Sequence, residues 1–204
     1  MDPRFIHPFG LLISAPSGAG KTHFTLRLIG NLDEMVKPTI QRIMWCYGIY
    51  QEIFNDHPQI HFQEGLPNIN DFDGKERTLL VLDDLMGCDD EKIMQLFTKI
   101  SHHKNVSVIY LTQNLFYKSK HSRTISLNAH YFIIFKNVRD STLIANLARQ
   151  MYPGNSKFMI EAFADATMAP YGYLLIDLKS ETDERFRLRT NIFPGETQYV
   201  YMKK

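Results

Sequence analysis

The feature that constrains this chain most is a glycine-rich turn between an apolar segment and an amphipathic one. Residues 10–15 are apolar or small, the turn ends in Gly20, Lys21 and Thr22, and apolar residues then recur at helical spacing. Strand, loop and helix in this order are the context that a phosphate-binding loop requires. We therefore predict a strand at 10–15, a helix at 21–32 and a phosphate-binding loop between them.

The residues of the turn suit a nucleoside triphosphate. Gly18 and Gly20 lack a side chain, so backbone N–H groups can surround a phosphate, and the helix adds its N-terminal dipole. Lys21 would reach the β- and γ-phosphates, and the Thr22 hydroxyl would bind Mg²⁺. Ala15 stands where such loops usually begin with glycine. We predict ATP and Mg²⁺ as cofactors, with the nucleotide held by Ser17, Gly18, Ala19, Gly20, Lys21, Thr22 and His23.

Two adjacent carboxylates follow a second apolar segment, at residues 78–82. Ligands gather at the carboxyl ends of parallel strands, so Asp83 is predicted to hold Mg²⁺ through its water shell. Asp84 is predicted to orient or deprotonate the attacking water. Aspartates also cap helices and turns at such places, and three nearby acids are rivals for the role of Asp84: Asp89, Asp90 and Glu91.

A third apolar segment, at 105–111, ends in Thr112, Gln113 and Asn114. An amide at this strand end can hydrogen-bond both the γ-phosphate and the attacking water, so Gln113 is predicted to be the sensor. The alternative is a structural amide that caps the strand. A polar residue on an extra strand between the first strand and the Asp-bearing strand defines the additional-strand class of P-loop NTPases.

Strands and helices alternate along most of the chain. This alternation predicts an α/β fold, a three-layer sandwich with a mostly parallel sheet. Residues 172–178 and 185–193 are predicted to form a C-terminal β-hairpin, joined by a polar stretch, that either extends the sheet or forms a flap. The remaining strands are predicted at 41–47, 60–63 and 131–135, and the remaining helices at 50–55, 92–102, 141–151 and 157–166.

Composition adds few constraints on partners. A formal net charge of +1 over 204 residues indicates that any DNA contact must come from a local patch or from many subunits. Cys46 and Cys88 show no metal-binding spacing and are interpreted as reduced thiols in a cytosol-like compartment. The sequence shows no signal peptide and no membrane-spanning apolar run. We expect an intracellular protein that is not secreted and has no membrane partner.

Several runs of residues resemble the FtsK/HerA superfamily. The similarity is greater to the genome-packaging ATPases of double-jelly-roll DNA viruses and of Polinton/Maverick and adintovirus-like elements. It extends from about residue 10 to 194. The phosphate loop and the paired aspartates occur in many ATPases, whereas the Thr-Gln-Asn strand and the tail are more selective. The runs are 80–84, 102–116, 135–140, 147–150 and 170–177.

The resemblance implies one P-loop ATPase domain of the RecA/FtsK-like class over residues 1–204. Its nucleotide-binding core would be 10–135, and its C-terminal helices and hairpin would be 136–204. It also implies a homo-oligomeric ring, a pentamer or a hexamer, that hydrolyses ATP and drives double-stranded DNA into a capsid. The implied partners are proteins of the capsid vertex. The implied location is the nucleus or a cytoplasmic assembly site of an infected host, or the virion.

The sequence departs from this family at two places. Asp84 stands where bacterial relatives usually have glutamate, and His102 and His103 stand where some relatives carry an arginine finger. We predict that Arg123 is the finger, because it follows the sensor strand in a basic and aromatic segment, 116–126. That segment is alternatively a solvated loop, or it contacts a phosphate backbone.

Two other functions stay open. The run 14–21 also resembles the phosphate loop of guanylate kinase, although neither a monophosphate pocket nor a lid with paired arginines can be placed in the sequence. The third hypothesis is a nucleotide-dependent switch without meaningful turnover. DNA-stimulated ATPase activity would indicate a motor, phosphate transfer to GMP a kinase, and binding without turnover a switch.

Overall fold

The computed structural model describes residues 2–85, 90–113 and 121–203, without the side chain of His102. Its strands are β1 Phe5–Ile6, β2 Gly10–Ser14, β3 Val36–Lys37, β4 Arg42–Tyr47, β5 His61–Glu64, β6 Thr78–Asp83, β7 Val106–Thr112, β8 Tyr131–Phe135, β9 Tyr173–Asp177, β10 Leu188–Thr190 and β11 Tyr199–Tyr201. Its α-helices are α1 Lys21–Gly30, α2 Leu32–Met35, α3 Asp90–Gln95, α4 Ser101–His103, α5 Ser122–Asn128, α6 Thr142–Met151 and α7 Ser156–Ala166. A π-helical turn, Leu96–Ile100, joins α3 to α4, and short 3₁₀ turns lie at Glu52–Asp56, Ile69–Asp71 and Glu184–Phe186.

Within this part of the chain, nine strands form one sheet in the order β11-β10-β9-β8-β2-β7-β6-β4-β5. The six strands from β8 to β5 are parallel, and β9, β10 and β11 each run antiparallel to the preceding strand. β7 lies between β2, which leads into the glycine-rich turn, and β6, which ends in the paired aspartates. The predicted α/β class is confirmed, including the additional strand, the mostly parallel sheet and the C-terminal hairpin of β9 and β10.

The central strands are apolar on both faces because each face is covered by helices. On β6, Leu80 and Leu82 pack into one hydrophobic core, and Leu79 and Val81 pack into the other. The first core includes side chains of α3, α5, α6 and α7, and the second includes those of α1 and α2. The result is the predicted three-layer sandwich, with the ends of the parallel strands open at one edge of the sheet.

Some boundaries differ from the predicted ones. α1 ends at Gly30, because Asn31 leaves the helical region with φ −122° and ψ 23°, and α2 follows as a separate short helix. The helix predicted at 92–102 begins at Asp90 and contains the π turn. The edge strand β11 and the parallel pair β1–β3 were not predicted, because two or three residues show too little alternation to be recognised.

Two expectations from the sequence concerned the cysteines and membrane-spanning segments. Cys46 is a buried free thiol, and burial raises its pKa to about 12, so it is poorly reactive. Cys88 lies outside the described residues. None of the helices that the structure describes has the length and apolar character needed to cross a bilayer.

Candidate active site

The glycine-rich turn joins β2 to α1 through two residues with left-handed backbone. Gly18 has φ 75° and Gly20 has φ 97°, a region that side chains disfavour. A Cβ on Gly18 would have no atom within 4 Å, so the outer side of the turn is open. Gly20 is the N-cap of α1 and offers no side-chain hydrogen bond to the first turn of the helix. The turn can therefore present backbone N–H groups to an anion.

Lys21 folds back over the turn in this structure. Its Nζ donates to the carbonyl oxygens of Ala15 at 2.8 Å and of Pro16 at 3.2 Å. Burial lowers the pKa of Lys21, and the charges of Asp83 and Asp84 oppose that shift. Both acceptors are neutral carbonyls, so a phosphate oxygen can replace them with a stronger, charge-assisted hydrogen bond.

Asp83 ends β6 and is only 4% exposed. Burial raises its pKa to about 6, and the charge of Asp84 adds to the rise, whereas Trp45 and Lys21 favour the ionised form. The buried indole N–H of Trp45 has no hydrogen-bond acceptor within bonding geometry in the described part of the chain. Gln51 Nε2 donates to Asp83 Oδ2 at 3.4 Å. A buried carboxylate with so little neutralisation is well suited to a divalent cation.

Asp84 stands exposed at the end of β6, with a left-handed φ of 51° that is uncommon for a residue with a side chain. Gly48 permits this conformation, because a Cβ there would lie 2.4 Å from the carbonyl oxygen of Asp84. Gln113 Nε2 donates to Asp84 Oδ1 at 3.4 Å. The structure thus brings the predicted water-activating acid and the predicted sensor into contact.

These residues surround one cleft of about 1010 Å³ at the carboxyl edge of the sheet. Ala19 lines a smaller neighbouring cavity of about 310 Å³ instead. Thr22 and Asp83, the two residues predicted to hold Mg²⁺, both line the main cleft. The predicted site residues that line it are Ser17, Gly18, Gly20, Lys21, Thr22, His23, Asp83, Asp84 and Gln113.

Arg123 is not among the described residues that line this cleft. It lies exposed in α5, at the end of the surface segment predicted for 116–126, of which 116–120 lie outside the described residues. A finger that acts on a neighbouring subunit does not need to reach its own cleft. The role of Arg123 stays a prediction.

Sequence reasoning missed several residues of the cleft, and two of them show why. Gln51 comes shortly after β4, and β4 pairs in parallel with β6, so the carboxyl-edge rule could have found it. Tyr171 precedes β9, and its Cδ1 lies 3.2 Å from the position that a Cβ on Gly20 would occupy. No local pattern marks Tyr171, because folding alone brings its loop to the turn.

We expect Asp83→Asn to stabilise the metal-free protein at neutral pH. The raised pKa means that the folded state holds this proton more tightly than the unfolded state. Ionisation of Asp83 therefore lowers stability as the pH rises from about 4 through about 6, and the cost is absent below that range. Removing the charge should increase the free energy of unfolding by about 1–3 kcal/mol at pH 8 and change it little at pH 3.5.

Urea unfolding in EDTA at both pH values measures this effect. Asp84→Asn is the matched control, since it removes the neighbouring but exposed carboxylate. Two results would show that burial of the Asp83 charge does not cause the gain in stability. One is an equal gain in the free energy of unfolding for both variants at pH 8, and the other is a gain for Asp83→Asn that persists at pH 3.5.

Neither the protein-family models nor the curated proteins compared with this sequence match it. Solved structures match it over nearly its whole length. The genome packaging NTPase B204 from Sulfolobus turreted icosahedral virus 2, in complex with ATP-γ-S, is 14% identical, covers 99% of this chain and 98% of its own, and has a TM-score of 0.51. The same protein in complex with AMPPCP is 12% identical, with the same coverage and a TM-score of 0.50.

A weaker match is the Legionella pneumophila ATPase DotB. It is 11% identical over 78% of this chain and 53% of its own, with a TM-score of 0.43. The likeness to B204, at such low identity, shows a shared fold and does not by itself show a shared function.

Proposed function

We propose that this chain is an ATP-hydrolysing motor that moves double-stranded DNA into a viral capsid. The observation that carries the proposal is the convergence of Lys21, Asp83, Asp84 and Gln113 on one cleft from three adjacent strands of the sheet. ATP hydrolysis requires a cation for the phosphates, an acid for a metal ion and polar groups that position the attacking water. Lys21, the buried Asp83 and the acid–amide pair of Asp84 and Gln113 match these requirements. The fold shared with a genome packaging NTPase supports packaging as the process.

The phosphates would lie along the turn that follows β2. Lys21 would exchange its two carbonyl acceptors for β- and γ-phosphate oxygens, and backbone N–H groups at 17–20 would bind the remaining oxygens. Asp84 would accept a proton from the attacking water, and Gln113, which already donates to Asp84, would hold the water and the γ-phosphate in line.

The donor set fits Mg²⁺. The Thr22 hydroxyl and the Asp83 carboxylate are hard oxygen groups that line the same cleft, and Asp83 is a buried acid that a cation would relieve. When bound there, Mg²⁺ would neutralise negative charge on the terminal phosphates. Gln51, through its hydrogen bond to Asp83, would keep that carboxylate oriented.

The proposal includes a homo-oligomeric ring of five or six subunits. Among the described residues that line the cleft, Arg27 is the one arginine, and it is paired with Glu196 at 2.6 Å away from the acidic end. A guanidinium for the developing γ-phosphate charge must then come from elsewhere. We propose that a neighbouring subunit supplies it, within a ring that contacts capsid vertex proteins at the assembly site of an infected cell.

We propose further that residues 1–204 act as one ATPase domain, with 10–135 as its core and 136–204 as its C-terminal part. Both parts contribute to the cleft, since Tyr171, Tyr173 and Phe193 line it together with the phosphate loop.

The deciding experiment measures ATP hydrolysis with and without double-stranded DNA, together with the mass of the assembly. A motor should form a ring and hydrolyse ATP faster when DNA is present. Phosphate transfer to GMP would establish a kinase instead, and nucleotide binding without turnover would establish a switch.

Asp84→Asn should lower turnover roughly 10²–10⁴-fold, the effect of losing a general base, while ATP binding persists because Asp83 and Lys21 are intact. Single-turnover hydrolysis and equilibrium ATP binding measure the two quantities. Glu91→Gln is the control, since Glu91 is an exposed acid on α3 that accepts a hydrogen bond from Gln95. Full activity of Asp84→Asn combined with loss in Glu91→Gln would transfer the role to Glu91.

A further inference from the structure

The cleft has two chemically different ends. Asp83, Asp84 and Gln113 follow β6 and β7, which lie on one side of β2 in the sheet. The other end is aromatic, and its residues belong to β8, β9 and the segments beside them, on the opposite side of β2. The aromatic residues that these strands and segments contribute are Phe135, Tyr171, Tyr173 and Phe193, and Phe24 of α1 also lines the cleft. The phosphate loop, which follows β2, lies between the two ends.

This arrangement fixes the direction of a bound nucleotide. The inference rests on the proposed function, in which Asp84 and Gln113 meet the terminal phosphate. A triphosphate that crosses the loop from there must carry its nucleoside toward the side of β8 and β9. The aromatic end is therefore where the base arrives.

The inner part of the aromatic end is a tightly packed cluster of rings. Phe24, on α1, packs against three rings, with centroid distances of 5.8 Å to Phe135, 4.9 Å to Tyr173 and 5.1 Å to Phe193. The Tyr173 hydroxyl accepts a hydrogen bond from the backbone N–H of Ile192 at 2.9 Å. This cluster ties the phosphate-loop helix to the strands beneath the aromatic end, so that end cannot shift independently of the loop.

Tyr171 differs from these buried rings because it is 71% exposed. Its backbone is left-handed, with φ 61°, and the next residue, Gly172, is packed so closely that a Cβ would lie 2.5 Å from the carbonyl oxygen of Ala166. The ring is thus placed by its backbone, next to Gly20, where it lines both the main cleft and the smaller cavity. It forms a wall of the cleft beside the phosphate loop.

Arg27 offers a second planar surface. Its Cζ lies 4.0 Å from the centroid of the Phe193 ring, and Nη1 contacts Glu196 Oε1 at 2.6 Å. The side chain is 48% exposed and lines the cleft, so the guanidinium stays accessible although it lies over Phe193. Planar aromatic rings and guanidinium groups are the surfaces on which bases stack.

We propose that the base of the nucleoside triphosphate binds at this end, stacked on Tyr171, with Arg27 as the second stacking surface. Tyr171 then contributes to affinity for the nucleoside part of the ligand and nothing to affinity for the phosphates. Because stacking needs the ring and not the hydroxyl, phenylalanine should replace Tyr171 without loss.

The test compares a ligand that has a base with one that has none. Dissociation constants for ATP and for inorganic tripolyphosphate are measured by calorimetry on the full chain, Tyr171→Ala, Tyr171→Phe and Met168→Ala. Met168 is 78% exposed in the same loop but does not line the main cleft, so its variant controls for a change in the loop. Tyr171→Ala should weaken ATP binding about 10-fold and leave tripolyphosphate binding unchanged. Tyr171→Phe and Met168→Ala should match the parent for both ligands.

Equal weakening for ATP and tripolyphosphate in Tyr171→Ala would overturn the proposal, because it would show that the ring acts on the phosphate loop. No weakening for either ligand would overturn it as well. If the parent chain binds neither ligand, the proposed nucleotide binding itself fails. If the parent binds both ligands and Tyr171→Ala changes both affinities equally or neither of them, only the proposed stacking on Tyr171 fails.

Discussion

We expect Lys21→Ala to abolish ATP hydrolysis and to leave the fold in place. Lys21 is the one cation that the phosphate loop itself brings to the cleft, and its present partners are two neutral carbonyl oxygens. Burial lowers its pKa, which means that the folded state gains little from its charge. The substitution would therefore remove the proposed partner of the β- and γ-phosphates with little effect on stability.

Turnover, equilibrium ATP binding and far-ultraviolet circular dichroism together measure this outcome. Lys157→Ala is the matched control, since it removes the same charge from an 84% exposed position on α7. The control should behave as the parent in all three measurements. Hydrolysis at the parental rate by a folded Lys21→Ala protein would contradict the assignment of the phosphate loop as the nucleotide site.

Much of the fold could be predicted because most of its strands and helices have local patterns of apolar and polar residues. The apolar runs that become β2, β6 and β7 are buried on both faces, so they stand out from the chain, and helices separate them. Their order in the sheet followed from the type of residue at each strand end. β11 could not be found in this way, since it is a three-residue edge strand with exposed Tyr199 and Val200 and has no periodicity of its own.

The residues of the candidate site also differ in whether a local sequence pattern marks them. The phosphate loop, Asp83, Asp84 and Gln113 lie at the ends of recognisable strands, and the carboxyl-edge rule brings such residues together. Tyr171 reaches the loop through the close packing of Gly172 against the end of α7, a tertiary contact that no spacing in the sequence reveals. The proposed arginine finger could not be located from the sequence, because its position would depend on how two copies of the chain meet.

We expect Arg123→Ala to lower turnover of the assembled protein by about 10³-fold or more while ATP binding and the fold stay intact. Arg123 is exposed on α5, close in sequence to the sensor strand and outside its own cleft. Charge that develops on the γ-phosphate oxygens needs a guanidinium, whose planar fork suits phosphate better than an ammonium group. Arg139→Ala and Arg149→Ala serve as controls, because both arginines are also exposed.

Mixing two inactive variants gives the sharper test of this prediction. Lys21→Ala subunits cannot hydrolyse ATP but still carry Arg123, whereas Arg123→Ala subunits keep a working phosphate loop but offer no finger. In a mixed ring, some interfaces join an intact loop to an intact arginine, so hydrolysis should return, with a maximum at intermediate ratios. Mass measurement must show mixed assemblies. If mixed rings stay as inactive as either variant alone, Arg123 does not act across the interface. Arg139 and Arg149 are then the next candidates to test, by the same mixing with Arg139→Ala and Arg149→Ala.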